Sequence, residues 1–337
     1  MDLHAPTRLL GGLSPAQFMR RHWQRKPLLV RAAWPRATPP LTRAQLFALA
    51  ADPDVESRLV CRLGAGWVVR DGPLPRRSLP PLRRAGWTLL VQGVDLFVDA
   101  AHQMLRPFRL VPDARLDDLM VSYASDGGGV GPHVDAYDVF LLQLQGRRRW
   151  RIGPVRDACL VEGVPLKLLR RFAPSQEWLL EPGDMLYLPP QWGHDGVAAG
   201  ECMTASIGFR APRAGELAQA LMLGVADEAA DAHDGGALYS DRASAATATP
   251  AHIPSAMESF ARAAWQRASR DPQALQRALG QWLSEPKARV WFEPARQTPA
   301  LGAHALELNR RTRMLYDTHH VYINGESVRA TGRDAQC

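Results

Sequence analysis

Cysteine is scarce: the 337 residues hold four, Cys61, Cys159, Cys202 and Cys337, with no C-x-x-C among them. Such spacing fits reduced thiols better than a disulfide framework or a cysteine-built zinc site. Long hydrophobic runs are missing too. No stretch nears the roughly 18 apolar residues of a membrane span, and Met1 to Pro15 lacks the apolar core of a signal peptide. The expectation is a soluble, cytoplasmic protein. There is no internal repeat, and 27 Gly and 27 Pro are scattered without period, which excludes collagen-like and coiled-coil designs. Acid is in deficit, with 34 Asp and Glu against 41 Lys and Arg, for a net charge of +7. That balance favours nucleic acid, ribonucleoprotein or an acidic ligand without selecting one.

What is present is core-forming. With 46% hydrophobic residues, ten Trp and nine Phe, disorder of the whole is excluded. The length suits about two domains. Ser14-Pro15 and Thr42 read as capped helix starts, with a strand at 27–30 between them. From about 56 to 212, short apolar runs at 58–61, 67–69, 88–91, 119–123, 139–144 and 185–188 are punctuated by Gly and Pro. Many short strands with frequent turns predict a β barrel or sandwich, interrupted by one helix over 95–104. After Pro212 the period becomes helical, over 217–229, 257–268 and 275–283, with a polar connector at 231–254. Asn324-Gly325 marks a hairpin in a small terminal α/β module.

The chemistry concentrates in two places. Gly127-Gly128-Gly129-Val130-Gly131-Pro132 does not match the dinucleotide fingerprint, because a proline and a strand stand where the phosphate-binding helix would begin. These glycines instead predict close backbone approach at a strand bend. His133-x-Asp135 follows. In extended chain, residues i and i+2 share a face and reach one metal ion. Alone this is a weak signal, since a surface His beside a solvated Asp is commoner. Glu181-Pro182-Gly183-Asp184 then makes a turn, Met185 to Leu188 a strand, and Pro189-Pro190 a rigid exit to His194. Two histidines and one carboxylate form the facial triad of non-haem Fe(II), which leaves coordination positions open.

A third feature is independent. The runs 139–144 and 147–152 read as two strands joined at Gln145-Gly146. In the second, Arg147, Arg149 and Arg151 share one face, and Arg148 falls with Trp150 and Ile152 on the other. A buried guanidinium needs an anionic partner. The partner is a protein acid such as Asp184 or Glu181, or the distal carboxylate of a dicarboxylate co-substrate, for which 2-oxoglutarate is the economical choice beside a facial triad.

The glycine run with His133, Asp135, Tyr137, Asp138, Val139 and Phe140 resembles the bacterial JmjC-type ribosomal oxygenases. So do Gly146 to Arg151 and the Glu-Pro-Gly-Asp turn with Pro189-Pro190 before His194. Trp23 to Pro27, Asp54 to Leu59 and Gly208 to Pro212 extend the resemblance over most of the chain. It implies a mainly β catalytic core over 1–212, a double-stranded β-helix of cupin/JmjC type. It further implies an α-helical dimerisation region over 213–285 and a small winged-helix-like module over 286–337. The implied activity is Fe(II)- and 2-oxoglutarate-dependent hydroxylation, with O2 as co-substrate, of an arginine Cβ in large-subunit ribosomal protein number sixteen. Carried over, His133, Asp135 and His194 become the iron ligands and Arg148 the 2-oxoglutarate anchor, with Ser122 a further co-substrate contact. Asp126, Tyr137 and Ser206 line the substrate side, and a homodimer is expected.

There are two departures. Ala124 stands where a second small polar residue is expected, and the chain ends soon after the 321–325 hairpin, which leaves the last module short. Two alternatives stay open. One is a JmjC-like hydroxylase of another residue, such as histidine in a ribosomal protein. The other is a non-catalytic cupin-like protein that sits on ribosome or RNA through Arg147, Arg149 and Arg151. No basic recognition helix stands out near the C-terminus, so direct DNA binding is not expected.

Overall fold

The computed structural model describes residues 2–35, 38–64, 66–231, 238–242, 246–293 and 307–330. Cys337, parts of the 231–254 connector and much of the last module lie outside the described residues. The chain divides into two compact units, Met1–Ala211 with Arg289–Arg310, and Pro212–Ala288 with Arg311–Cys337.

In the first unit, both predicted helix starts form capping boxes. The side chains of Ser14 and Thr42 accept from the N–H of Gln17 and Gln45, whose amides return the bond. They open α1 (Pro15–Arg21) and α2 (Arg43–Ala51). The helix expected over 95–104 is shorter: a 3-10 turn at Val94–Leu96 precedes α3 (Asp99–Leu105). Asp95 is the reason. It is buried, and its carboxylate accepts from Leu119 N–H at 2.8 Å, which ties the turn to the sheet.

Ten strands make one antiparallel sheet among the described residues. They are β1 (Leu28–Val30), β2 (Ser57–Leu63), β3 (Gly66–Asp71), β4 (Trp87–Val91) and β5 (Leu116–Ala124), then β6 (His133–Val134), β7 (Asp138–Pro154), β8 (Gln176–Leu180), β9 (Met185–Leu188) and β10 (Trp192–Phe209). Every predicted apolar run falls inside one of them. The two long strands, β7 and β10, pair with each other throughout. At one end they are flanked by β8 and β6, at the other by β9 and β5. Long strands passing from one short sheet into another give the double-stranded β-helix.

The expected turn at Gln145-Gly146 is not there. Residues 138–154 form a single strand, with Gly146 at φ 62 and the register to β10 shifting between Ala199 and Met203. A Cβ on Gly146 would stand 2.0 Å from Glu201 O, so β10 passes too close for a side chain. This bulge changes which residues face inward. Before it, Val139 and Leu141 join the inner apolar cluster; after it, Trp150 and Ile152 do, with Leu180, Leu186 and Leu188. Phe140, Leu142 and Leu144 face the other way, into the larger core with Phe18, Leu46 and Phe47 of α1 and α2. An odd-numbered inner face thus becomes an even-numbered one, because a single extra residue reverses strand parity.

The second unit holds α4 (Ala214–Asp231), α5 (Ser255–Ala268) and α6 (Ala274–Ser284), then a three-stranded sheet of β11 (Met314–Tyr316), β12 (His320–Ile323) and β13 (Glu326–Arg329). The β12–β13 turn is the predicted Asn324-Gly325, both at positive φ (54 and 89), as a two-residue hairpin of type I′ requires. Tyr322 ties the sheet to α6 by donating to Gln276 O at 3.2 Å, and it lies within 2.6 Å of Asp317 Oδ2.

Candidate metal centre

The glycines ahead of His133 do what their spacing predicted. A Cβ on Gly128 would meet Trp87 O at 2.4 Å, and one on Gly129 would meet Gly196 O at 2.6 Å. The loop therefore lies flat against the sheet and delivers β6 beside β10.

In that pairing His133 stands directly opposite His194, with ring centroids 4.1 Å apart. Asp135, two residues on, completes the set; its Oδ2 is 3.4 Å from His194 Nε2. Ligand atoms of all three lie within 4.8 Å of one another. Each imidazole is oriented by its own backbone: His133 Nδ1 donates to Gly131 O at 2.9 Å, and His194 Nδ1 to Trp192 O at 3.1 Å. That tautomer leaves each Nε2 lone pair for a metal. Burial, helped by His133 and opposed by the Asp135 carboxylate, lowers the His194 pKa to about 4, so its imidazole is neutral at pH 7. Two imidazoles and one carboxylate suit a divalent transition metal.

The inner face of the sheet supplies a second element. Arg148 is buried, and its Nη1 donates to Ser122 Oγ at 3.2 Å. Its Nε and Nη2 are buried with no protein partner among the described residues. The protein acids considered as partners do not serve it, since Asp184 is bound by Arg31 at 2.6 Å. A desolvated guanidinium with two open N–H directions is a receptor for a carboxylate.

Polar residues that sequence reasoning missed extend this floor. Thr204 Oγ1 donates to Gln143 Oε1 at 2.9 Å, and Ser122 Oγ donates to Thr204 O at 3.4 Å. Gln143 was legible as a lone polar residue in the 139–144 run; Thr204 had no signal. Ser206 is buried opposite Met120 and Leu141, two residues beyond Thr204 and on the same face. Trp150 spans the two elements, 5.9 Å from the His194 ring and 5.7 Å from the Arg148 guanidinium carbon. It lies over Gly196, where a Cβ would stand 2.7 Å from the indole.

Two other predicted residues lie differently. Asp126 is exposed in a turn, and its Oδ1 accepts from Gly200 N–H at 2.8 Å, so its carboxylate is used in holding the loop. Tyr137 has 42% of its surface open. Desolvation, with the charges of Asp135, Asp118 and Asp117 nearby, pushes its pKa up. Ala124, the departure noted above, is buried with Ala198 and Cys202 in a small apolar cluster. A cavity of about 700 Å³ beside Glu216, Asp227, Glu228 and Arg277 belongs to the second unit and includes none of the motif residues.

A two-histidine, one-carboxylate centre inside a double-stranded β-helix, with a buried guanidinium awaiting an anion, defines a metal-dependent oxygenase of the cupin/JmjC class. A JmjC domain model matches residues 103–217, and a ROXA-like winged helix model matches residues 264–336. The chain is 34% identical over 331 residues to the ribosomal protein uL16 3-hydroxylase of Escherichia coli (strain K12), covering 94% of this chain and 86% of that protein. It is similar to the X-ray structure of E. coli YcfD, with a TM-score of 0.76 and 32% identity over 94% of this chain and 86% of that one. YcfD, a ribosomal oxygenase, in complex with cobalt and 2-oxoglutarate gives 0.71 and 31% over 94% and 85%. The chain belongs to the bacterial JmjC-type ribosomal oxygenase family.

Proposed function

We propose that this chain is an Fe(II)- and 2-oxoglutarate-dependent hydroxylase that acts on the Cβ of an arginine in ribosomal protein uL16. One observation carries the reading: a preoriented His133–Asp135–His194 set shares its β-helix with an Arg148 guanidinium that has two buried, unpartnered N–H groups. The first suits the metal and the second the distal carboxylate of the co-substrate. When bound, Fe(II) with 2-oxoglutarate and O2 supplies the oxidising power to insert one oxygen atom into a C–H bond, with succinate and carbon dioxide as co-products.

The protein's part is placement. His133, His194 and Asp135 hold the metal, and the Nδ1 bonds to Gly131 and Trp192 keep both rings facing it. Arg148, steadied by Ser122, fixes the co-substrate's far end. Trp150 and the inner leucines exclude water. Tyr137, part exposed two residues after Asp135, supports the substrate side; Ser206 lines the same interior. Asp126 is a support of the loop in this reading. Residues 1–212 carry catalysis, 213–285 pair two copies, and 286–337 are the winged-helix-like module. The exposed Met222, Leu223, Met257, Trp265 and Leu275 of α4–α6 support the homodimer. No helix among the described residues is long and apolar enough to cross a membrane, and the substrate class fits the cytoplasm.

The test is incubation of purified protein with Fe(II), 2-oxoglutarate, ascorbate and a uL16 fragment, following succinate and the fragment's mass. A one-oxygen gain on arginine, dependent on both additions, supports reaction and substrate together. Succinate without a mass gain keeps the oxygenase and discards the substrate, and a gain on histidine favours the alternative target.

A further inference from the structure

One edge of the sheet is dense in positive charge. Residues 57–86 contain seven arginines, no lysine and one acid, Asp71, a net charge of +6. It forms β2, β3 and the turns that lead into β4, at the edge of the sheet. Asp71 is taken by Arg58 at 2.8 Å. Arg70 donates to Ser78 O; Arg76 donates to Leu79 O and lies 5.6 Å over the Phe47 ring. These three have structural work. Arg62, Arg77, Arg83 and Arg84 are exposed and have no acidic partner among the described residues.

Three of the four, Arg62, Arg83 and Arg84, are held near one another by backbone. Arg62 N–H donates to Gly86 O at 2.8 Å, which brings β2 beside the turn carrying Arg83 and Arg84. Trp67 stands opposite Arg62 across β2–β3, and its ring lies 3.1 Å from where a Cβ on Gly131 would be. The inner end of the patch therefore adjoins the loop that delivers His133.

We infer that this arginine edge binds the phosphate backbone of RNA next to the metal centre. Like charges gathered without acids repel one another and add nothing to folding, and a polyanion relieves that repulsion. Arginine fits such a ligand, because its planar fork matches phosphate oxygens in pairs. The choice of RNA over an acidic protein rests on the hydroxylase reading above. A ribosomal protein is built to bind RNA, so a cationic edge repels the free protein and suits the RNA that accompanies it.

The experiment uses the full chain, a labelled single-stranded RNA, and poly-glutamate of equal charge, with binding followed by anisotropy over a range of salt. RNA affinity should fall with salt. The R62Q/R77Q/R83Q/R84Q variant should bind RNA at least tenfold more weakly, with the log–log salt slope reduced by about 3, at roughly 0.7 per lost phosphate contact. The R77Q/R83Q variant should give about half that change. Succinate formation with a free uL16 fragment should stay within about twofold in both, which also shows that they fold. RNA binding without turnover in any protein keeps the patch and discards the hydroxylase. Unchanged RNA affinity in the quadruple variant overturns the inference. So does wild-type binding that ignores salt, or poly-glutamate bound as tightly as RNA.

Discussion

At the scale of single residues, Arg148 is the informative one. Burying a guanidinium against one neutral hydroxyl is unfavourable unless an anion arrives, so the side chain is arranged for a ligand. Arg148→Lys keeps the charge but loses the fork. The KM for 2-oxoglutarate should rise at least tenfold, about 1.4 kcal/mol, while calorimetric affinity for Co(II) stays unchanged; an unchanged KM would remove Arg148 from the co-substrate site. Asp135→Ala withdraws the only carboxylate of the triad. Turnover should fall by more than about a hundredfold, and iron-dependent succinate release persisting in that variant would contradict the ligand assignment. The triad was legible because H-x-D and a later His on a strand exit are local patterns. Thr204 was not, because its importance comes from lying across from Ser122 and Gln143 in other strands.

At the scale of elements, apolar runs and turn residues located most of the strands, and Ser14 and Thr42 located two helices. The sequence misled at Gln145-Gly146, where a glycine inside an apolar pattern reads as a turn but is a bulge. Treating 147–152 as its own strand still put Arg148 inward, because the bulge resets parity there. Gly146→Ala combines a left-handed φ with a clash against Glu201 O. It should destabilise the protein by roughly 1–3 kcal/mol, read as a lower urea midpoint, and weaken 2-oxoglutarate binding through the misplaced Arg148. A variant as stable as wild type would show that β10 yields easily. Asp95 is the matching case among helices: a buried carboxylate bonded to Leu119 cut a predicted helix short, and no local pattern announces a partner in β5.

At the scale of the whole molecule, β1 is strapped to the β8–β9 turn by Asp184, which accepts from Ala32 N–H at 2.9 Å, Glu181 N–H at 3.1 Å and Arg31 at 2.6 Å. Burial raises the Asp184 pKa, but the bonds from Ala32 and Glu181 and the Arg31 charge outweigh it and hold the carboxyl below its usual range. Its contribution is therefore complete above the unfolded Asp pKa, about 3.9, and is lost as pH falls through the lower folded value. Asp184→Asn should flatten the acid limb of the stability curve below about pH 4; an unaltered limb would show that other carboxylates set it. Metal acts on the same scale. A centre formed only in the folded chain gains stability on binding, so excess Co(II) should raise the melting temperature of wild type and leave that of Asp135→Ala unmoved.

The sequence by itself determined the β-rich core, the helix starts, the candidate ligands His133, Asp135 and His194, and the inward Arg148. Each depends on residues a few positions apart, where strand alternation, capping and turn chemistry act through the local backbone. Tertiary structure alone decided that His133 faces His194, that no acid among the described residues reaches Arg148, and that Asp126 is spent on Gly200. It also decided that Arg62, Arg83 and Arg84 gather beside Gly86. Those outcomes depend on which distant strands pair and in what register, and that register is set by packing the whole sheet rather than by any segment of it.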